Sequence, residues 1–483
     1  MWWRDAVVYQ VYPRSFQDSD GDGVGDLRGI ERRLDHLSWL GVDAVWLSPI
    51  YPSPLADMGY DVSDFTGIDP VYGTHDDFDS LREAAHRRGI RLVMDLVPCH
   101  TSIEHPWFRD HPERYIWSDR DGPRNNWLAT FGGSAWTPDP MKRGWYMHSF
   151  YPEQPDLDWR NPEVARAMGD VVRFWLARGA DGFRVDALDR LVKDAEFRDD
   201  PPAREPFPLP LPAEYAQLEH RHSVNSPDIH AAVAKLRAAA GEHPLIGEVY
   251  LPAAEVVPYL QSVDLAFCFE LLHAGWERQR LREAIDAGLS LQRDGAPAAA
   301  WVLSNHDFIR LATRIGEENA RAAAVLLLTL PGAAFAYQGE EIGMVDGPGG
   351  DPPFDRAGRD VARHPMQWDA TPSGGFTSGR PWLPPVDPAE RNVEAQRDDP
   401  ASLLHLYRLL IEGRKVLGEG FQLLKGFEGI VAFERPEHVV AINVTAGPQP
   451  APVTGQPELT THPDPVADGM LAPHAGAIAP KSG

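Results

Sequence analysis

The chain of 483 residues contains only two cysteines, Cys99 and Cys268. Two thiols in a chain of this length do not form a disulfide framework, and their apolar surroundings indicate buried free thiols. The sequence also lacks any run of about 18 apolar residues, the length that a membrane-spanning helix needs. Its first residues contain no basic segment followed by an apolar one, so we expect no signal peptide and a cytoplasmic location.

Positive charge is scarce: 46 Lys and Arg stand against 71 Asp and Glu, which gives a formal net charge of −25. Nucleic acids and anionic membranes attract proteins with basic surfaces, so the composition argues against both as partners. Hydrophobic residues make up 43% of the chain, enough for a large core. The length exceeds one ordinary domain and suits a barrel of about 250 residues with attachments. Nothing in the sequence indicates an oligomeric state.

Apolar strand patterns alternate with amphipathic helical patterns through most of the chain. The strand patterns are AVVYQVY (6–12), DAVWLSP (43–49), RLVMDLV (91–97), DGFRVDA (181–187), LIGEVY (245–250), VDLAFCF (263–269), AWVLSNHD (300–307) and AAFAYQGEE (333–341). Eight parallel strands that alternate with helices close a (β/α)8 barrel. An open doubly wound sheet is the alternative, but no G-x-G-x-x-G motif follows the first strand. We therefore predict an α/β fold of the (β/α)8 TIM-barrel class.

Two regions interrupt this alternation and suggest the domain organisation. We expect the first part of the barrel over 1–100 and an inserted subdomain after the third strand over 101–160, which is rich in Trp, Pro and Gly. The remainder of the barrel follows over 161–417, with long loops at 342–400. A short C-terminal β-domain occupies 418–483, and its Pro-rich tail is expected to be poorly ordered.

Charged and imidazole side chains collect where the predicted barrel strands end. In chain order they are Asp95, His100, Arg184, Asp186, Glu248, His306 and Asp307. Because the carboxyl ends of barrel strands share one face, these groups should converge. Paired carboxylates beside cations suit glycoside hydrolysis. A metal hydrolase is the alternative, but there is no H-E-x-x-H motif, and Arg184 would repel a cation near Asp186.

Several longer motifs are highly specific. They include VYQVYPRSFQDSDGDGVGDLRGI, LSPIYPSPLADMGYDVSDF, HTSIEHPWF, QPDLDWRNPEV, GFRVDA, GEVY, LSNHD, YQGEEIGM and RHPMQWD. From Trp2 to about residue 415 the chain resembles glycoside hydrolase family 13, the α-amylase superfamily, in its oligo-1,6-glucosidase/α-glucosidase branch. The resemblance implies a retaining, exo-acting α-glucosidase that hydrolyses short α-glucosides from the non-reducing end and uses no organic cofactor.

The resemblance also implies the catalytic roles. Asp186 would be the nucleophile and Glu248 the general acid/base. Asp307 would bind the 2- and 3-hydroxyls of the sugar and stabilise the oxocarbenium-like state. Arg184, two residues before the nucleophile, would keep Asp186 ionised by charge pairing.

Six positions are implied to bind substrate, Arg184 among them. His100 and His306 would hydrogen-bond sugar hydroxyls, and Tyr60 would stack on the sugar ring. Asp61 would bind the 4- and 6-hydroxyls, and Arg363 would pair with Asp61. This pair would close the pocket at the −1 subsite, the position of the sugar ring that is cleaved off.

An acidic run follows the first strand, with oxygen side chains at alternate positions. It begins like an EF-hand loop, but its twelfth position is Gly rather than Glu. A solvated acidic turn is the alternative, although four carboxylates this close would repel one another without a cation. The resemblance implies a structural Ca²⁺ held by Asp18, Asp20, Asp22 and Asp26 with the Val24 carbonyl.

Two positions depart from the pattern of the branch, and a third leaves the linkage preference open. Cys99 stands where Asn is usual, and His364 stands where Thr is usual. Ala187, after the nucleophile, leaves the choice among α-1,4, α-1,6 and α-1,1 linkages open. A glucosyl transferase or isomerase of the same fold, such as a trehalose synthase or a sucrose-acting enzyme, is the alternative function, and a non-catalytic barrel is a third.

Overall fold

The computed structural model describes residues 1–453, 456–463 and 465–481. Its strands are, in chain order, β1 (Val7–Val11), β2 (Ala44–Leu47), β3 (Arg91–Leu96), β4 (Trp136–Pro138), β5 (Trp145–Met147), β6 (Gly182–Val185), β7 (Leu245–Gly247), β8 (Leu265–Cys268), β9 (Gln292–Arg293), β10 (Ala296–Pro297), β11 (Ala299–Val302), β12 (Ala333–Tyr337), β13 (Gln422–Leu423), β14 (Ile430–Glu434), β15 (His438–Asn443), β16 (Gln449–Pro450), β17 (Leu459–Thr460), β18 (Val466–Ala467), β19 (Met470–Leu471) and β20 (Gly476–Pro480).

The α-helices lie mostly between the strands of the first 340 residues. They are α1 (Leu27–Arg32), α2 (Leu34–Leu40), α3 (His75–Arg87), α4 (Pro106–Asp110), α5 (Pro162–Ala177), α6 (Ile229–Ala240), α7 (Ala253–Val256), α8 (Phe269–His273), α9 (Arg278–Ser290), α10 (Leu311–Ile315), α11 (Ala320–Thr329), α12 (Val393–Asp398) and α13 (Leu403–Arg414). Among the described residues, no helix combines the length and the apolar character that crossing a membrane requires.

Eight strands form a closed parallel barrel. Around the barrel they run β1, β2, β3, β6, β7, β8, β11 and β12, and β12 pairs back with β1. Each of the eight strand patterns in the sequence coincides with one of these strands, so the predicted barrel is confirmed. The barrel strands carry apolar side chains on both faces, because the lumen and the helical layer each cover one face.

Large side chains fill the lumen of the barrel. Trp46, Phe267 and Phe335 are all buried there, and their ring centroids lie 4.8–6.3 Å apart. Outside the barrel, α5 shows how the helices attach. Asn161 caps its N-terminus and Pro162 occupies the first turn, a position where Pro loses no hydrogen bond. One apolar face of α5 then packs on the strands.

The segment between β3 and α5 has little regular structure. It contains α4 and the two-stranded sheet β4–β5. A small core of its own includes Trp127, Trp136 and Met147. The chain returns to the barrel through Leu157, whose amide donates to the carbonyl of Cys99 at 2.9 Å. The segment thus stands over the carboxyl end of β3, beside the cavity described below.

The C-terminal region forms antiparallel sheets. One sheet has the order β13–β14–β15–β20–β17, and a second has the order β16–β19–β18. In the Pro-rich tail, which was expected to be poorly ordered, the described residues include β16, β17 and β18, which pair with β19 and β20. Residues 454, 455, 464, 482 and 483 lie outside the described residues. β20 pairs with β15 over five residues, which ties the end of the chain to the sheet.

Candidate active site

A cavity of about 690 Å³ opens at the end of the barrel where the strands finish. Ligand pockets usually have volumes of roughly 300–1,000 Å³. Asp186 directly follows β6, Glu248 directly follows β7, and Asp307 lies in the loop after β11. All three line the cavity. The barrel therefore converts widely separated sequence positions into one acidic pocket.

Arg184, the third residue of β6, binds three carboxylates at the floor of this cavity. Its Nη1 lies 2.9 Å from Asp95 Oδ1 and 2.5 Å from Asp186 Oδ1. Its Nη2 lies 2.6 Å from Glu248 Oε1. The predicted pairing of Arg184 with Asp186 is present, and the same guanidinium also holds Glu248. The two carboxyls implied in catalysis are thus fixed to neighbouring nitrogens of one rigid group.

Burial and charge set the protonation of the pair. Burial raises the pKa of Glu248 to about 8, although Arg184 acts in the opposite direction. Burial also raises the pKa of Asp186, to about 7, and Arg184 again opposes the rise. Glu248 has the higher pKa of the two, so a single proton shared by the pair resides on Glu248. This is the distribution that a general acid beside a nucleophile requires.

Ala187 links the two carboxyls through the backbone. Its φ of 45° lies in the left-handed region, which residues with a Cβ seldom adopt. In this conformation its amide donates to Glu248 Oε2 at 3.0 Å. The next amide, of Leu188, donates to the Glu248 carbonyl at 2.9 Å. The turn after the nucleophile therefore holds the side chain of Glu248 as well as its backbone.

Asp307 occupies a more cationic part of the cavity. Arg359 Nη1 lies 3.1 Å and Arg363 Nη2 lies 3.3 Å from its Oδ1. His306 Nε2 lies 3.4 Å from its Oδ2. Burial alone would raise the pKa of Asp307, but His306, Arg359 and Arg363 together lower it below its ordinary value. Asp307 is therefore an anion on the wall of the cavity.

The predicted pair of Asp61 and Arg363 does not form. Asp61 is fully buried, and its oxygens accept hydrogen bonds from the Ser53 hydroxyl and from the amides of residues 56 and 57. Arg363 instead donates to the His306 carbonyl at 2.8 Å and contacts Asp307. Asp61 therefore shapes its own loop and does not line the cavity.

Asp57 and Arg359 form the ion pair that was expected of Asp61 and Arg363. Arg359 Nη2 donates to Asp57 Oδ1, and Gln154 Nε2 donates to Asp57 Oδ2 at 2.8 Å. Both partners of the ion pair line the cavity. Both residues could have been identified from the sequence. Asp57 lies in the ADMGYD motif that also contains Asp61, and Arg359 lies one helical turn before Arg363.

Tyr60, His100 and His306 line or border the cavity as expected. Tyr60 stacks against His306 with a centroid distance of 5.3 Å, and its hydroxyl donates to Asp95 Oδ2 at 3.0 Å. Burial lowers the pKa of His306 to about 3 and also lowers the pKa of His100. Gln10 Nε2 lies 2.8 Å from His306 Nδ1. His306 Nε2 makes no hydrogen bond to the described residues, because its 3.4 Å approach to Asp307 Oδ2 lacks hydrogen-bond geometry. A neutral imidazole of this kind can donate to a sugar hydroxyl.

Asp95 is a site residue to which the sequence reading gave no role. It accepts hydrogen bonds from Trp46 Nε1 at 3.1 Å, from the Tyr60 hydroxyl and from Arg184. It is fully buried and shares Arg184 with Asp186 and Glu248. Its position at the end of β3 could have indicated from the sequence that it belongs to the site. Asp95 orients Arg184 and Tyr60 and does not reach the cavity itself.

The two departures from the branch pattern are accommodated by hydrogen bonds. Cys99 is buried, and its thiol lies 3.5 Å from the Arg190 carbonyl. His364 Nδ1 lies 2.6 Å from the Pro384 carbonyl, and Gly349 donates to Nε2 at 3.1 Å. His364 thereby fastens the loop that carries Arg359 and Arg363.

The acidic loop after β1 brings three of its four aspartates together. Carboxylate oxygens of Asp18, Asp20 and Asp22 lie within 4.8 Å of one another. Burial and the neighbouring acidic charges raise the pKa of Asp22. Asp26 instead caps α1, and its oxygens accept from Gly29 and Ser19, both at 2.7 Å. Oxygen donors in this number and spacing fit a hard cation such as Ca²⁺.

Comparisons with known proteins agree with this geometry. The family described as "Alpha amylase, catalytic domain" matches residues 10–420. The chain is 41% identical to a probable alpha-glucosidase of Rhizobium meliloti over 86% of this chain and 82% of the relative. It is 38% identical to an oligo-1,6-glucosidase of Parageobacillus thermoglucosidasius over 86% of this chain and 84% of the relative.

Solved structures are similar over nearly the whole chain. An alpha-glucosyl transfer enzyme, XgtA, superposes with a TM-score of 0.91 at 35% identity and covers 99% of each chain. The trehalulose synthase MutB from Pseudomonas mesoacidophila superposes with a TM-score of 0.88 at 30% identity, also with 99% coverage of both chains. The barrel, its strand-end carboxylates and these similarities establish that the chain belongs to glycoside hydrolase family 13, the α-amylase superfamily.

Proposed function

We propose that the protein is a retaining, exo-acting α-glucosidase that releases glucose from the non-reducing end of short α-glucosides. One observation carries the proposal: Arg184 holds the carboxyls of Asp186 and Glu248 at adjacent nitrogens of one guanidinium. A retaining glycosidase needs two carboxyls about 5–5.5 Å apart, close enough for direct attack. An inverting enzyme needs roughly 6.5–9.5 Å, because a water must fit between carboxylate and sugar.

The first chemical step uses both members of the pair. Asp186, as the carboxylate, attacks the anomeric carbon while the bond to the glycosidic oxygen breaks. Glu248, as the acid, gives its proton to that oxygen, and the leaving group departs as a neutral alcohol. A β-glucosyl ester of Asp186 remains. The anionic Asp307 stabilises the positive charge that develops on the sugar ring between these states.

The second step returns the site to its starting state. Glu248, now a carboxylate, takes a proton from a water molecule as the water oxygen attacks the anomeric carbon. The ester bond to Asp186 breaks, and glucose leaves with its original anomeric configuration. The same glucosyl ester can react with an alcohol instead of water, and the likeness to an alpha-glucosyl transfer enzyme favours transfer as a second activity.

Two ion pairs support the exo-acting mode. Asp57 and Arg359 lie on the cavity wall. Arg356 Nη2 bridges from the same loop to Glu153 of the inserted segment at 2.9 Å. The first pair joins the loop before Arg363 to the loop after β2, and the second joins it to the inserted segment. A pocket closed in this way admits a chain end but does not let a long glucan pass through.

A structural calcium ion is part of the same proposal. Asp18, Asp20 and Asp22 would hold the ion, with the Val24 carbonyl supplying a further oxygen, while Asp26 caps α1. The ion would neutralise the acidic loop and brace the turn between β1 and α1. It would take no part in bond cleavage.

Proton NMR of the first sugar released tests the proposed mechanism. The α- and β-anomers of glucose have separate signals, and they interconvert slowly enough to be distinguished early in the reaction. We expect α-glucose from an α-glucoside whose leaving group is not glucose, such as p-nitrophenyl α-glucoside. An early β-glucose signal would mean inversion, and the roles proposed for Asp186 and Glu248 would then be wrong.

A further inference from the structure

Beyond Glu248, one side of the cavity is lined by apolar side chains. Tyr250 follows Glu248 by two residues, and its ring lies 5.3 Å from that of Phe269. Phe308 stacks on Tyr250 at a centroid distance of 6.5 Å and an interplanar angle of 12°. Leu211, from the loop between β6 and α6, adds an aliphatic surface. These four residues are called the aglycone wall below.

The polar atoms of the aglycone wall are already engaged. The Tyr250 hydroxyl donates to the Pro210 carbonyl at 3.0 Å and lies 2.7 Å from His273 Nε2. Burial lowers the pKa of His273 to about 4, so its imidazole is uncharged at neutral pH. Both contacts hold the hydroxyl to the protein. The aglycone wall therefore presents aromatic rings and aliphatic carbon atoms to the cavity.

The charged side chains elsewhere in the outer cavity are also engaged. Arg190 donates to the Tyr215 hydroxyl at 2.6 Å and packs against the rings of Phe150 and Tyr215. Arg356 is bound to Glu153. A sugar in a second subsite needs several hydrogen bonds to replace those it makes with water, because unpaired hydroxyls are costly to bury. The outer cavity offers few free partners for such hydroxyls.

From this arrangement we infer that the enzyme selects α-glucosides whose leaving group is apolar, an alkyl or aryl group, over those whose leaving group is a second sugar. The inference rests on the proposed function. Glu248 protonates the glycosidic oxygen, so the group bonded to that oxygen must lie on the Glu248 side of the cavity. That side is the aglycone wall.

The same wall favours apolar alcohols as acceptors in the second step. The alcohol oxygen attacks the anomeric carbon of the Asp186 ester, the bond to Asp186 breaks, and the hydroxyl proton passes to Glu248. No other reactant is needed. An alcohol held against the aglycone wall stands where water would otherwise attack.

A series of n-alkyl α-glucosides tests the inference. Methyl, n-butyl and n-hexyl α-glucosides have leaving groups of nearly equal acidity, so differences in kcat/KM report binding of the alkyl chain. A fully buried methylene contributes up to about fourfold. We expect kcat/KM to rise by about tenfold or more from methyl to hexyl, and the hexyl compound to exceed maltose. A flat series, or maltose as the best substrate, would overturn the inference.

Matched leucine variants assign the effect to the wall. Leu211→Ser should reduce the ratio of hexyl to methyl kcat/KM by about threefold or more. Leu409→Ser makes the same change at a leucine of α13 that is 47% exposed and outside the cavity, and it should leave the ratio unchanged. Phe308→Leu provides a second variant of the wall, with the same expected fall. An unchanged ratio in both wall variants would refute the role of the wall. Failure of the wild type to cleave any α-glucoside would refute the proposed function itself.

Discussion

Three carboxyl groups share one cation, Arg184, at the floor of the cavity. Asp95, Asp186 and Glu248 surround Arg184, and all four side chains are mostly buried. Burying unpaired charge is costly, so a carboxyl in such a cluster keeps its proton at neutral pH. Glu248 has the highest pKa of the three, about 8, so it is the one that keeps the proton. In the proposed mechanism, this protonated Glu248 is the general acid that is present before substrate binds.

Glu248→Gln separates acid catalysis from nucleophilic attack. Glutamine has nearly the same shape but cannot supply a proton, so kcat on maltose should fall by about 10²- to 10⁴-fold. An α-glucosyl fluoride has a leaving group that needs no proton, and its first step should be much less affected. Asp186→Asn is the control and should be inactive on both substrates. Equal losses on the two substrates in Glu248→Gln would contradict the role of Glu248 as the acid.

The pH dependence of kcat/KM follows from the same two groups. Glu248 must be protonated, so activity should fall as pH rises through its raised pKa of about 8. Asp186 must be ionised, so activity should fall as pH drops below its raised pKa of about 7. The two steps belong to the coupled pair, and we expect a narrow bell with its maximum between them. An optimum below pH 5 in a kcat/KM profile for maltose would contradict these directions.

Substitutions of Asp57 and Asp61 should affect different properties, activity in the first case and stability in the second, although the two residues lie only four positions apart. Asp57→Asn weakens the ion pair with Arg359 at the cavity wall and should lower kcat/KM for maltose by about tenfold or more, with little change in Tm. Asp61→Asn disturbs a fully buried set of hydrogen bonds and should cost about 1–3 kcal/mol of stability. Its kcat/KM should change less than that of Asp57→Asn. If Asp61→Asn instead lowered kcat/KM more than Asp57→Asn did, with little change in Tm, Asp61 would be the substrate ligand.

At the scale of elements, the strands were predictable and the loops between them were not. Buried parallel strands are short apolar runs, and all eight of these runs in the sequence became barrel strands. The residues to which the sequence assigned catalytic roles lie at or near the ends of such runs, so their convergence also followed. Asp57 and Arg359 lie in loops, where hydrogen bonding decides which of two nearby residues faces the cavity. The tail strands β16 to β19 are two residues each, which is too short for an alternating pattern to reveal them.

The loop between β1 and α1 should depend on calcium. Asp18, Asp20 and Asp22 crowd together, and a chelator would expose their mutual repulsion. We expect EDTA to lower Tm by several degrees and added Ca²⁺ to restore it. Asp20→Ala should remove this response, whereas Asp121→Ala, an exposed acidic residue of the inserted segment, should retain it. A wild-type Tm that EDTA leaves unchanged would argue that the loop is an ordinary acidic turn.

At the scale of the whole molecule, arginines join the C-terminal sheets to the barrel. Arg435 donates to the Thr329 carbonyl at 3.1 Å, and Arg321 and Arg282 donate to the carbonyls of Thr461 and Leu424. The acceptors are backbone carbonyls at or next to the ends of helices and strands. Such carbonyls have no partner within their own element and need one from elsewhere. The C-terminal sheets therefore lie on the outside of the barrel, and none of their described residues lines the cavity.

This enclosure predicts how the enzyme acts on long glucans. Arg356 and Glu153 join the loop to the inserted segment, and Asp57 and Arg359 close the wall behind them. A starch chain cannot thread through a cavity closed on that side, so only its non-reducing end can enter. With amylose as substrate, we expect slow release of glucose while the viscosity stays nearly constant. An endo-acting α-amylase serves as the control, because it lowers the viscosity long before free glucose accumulates. If this protein lowered the viscosity in the same way, the closed pocket and the exo-acting mode would both be wrong.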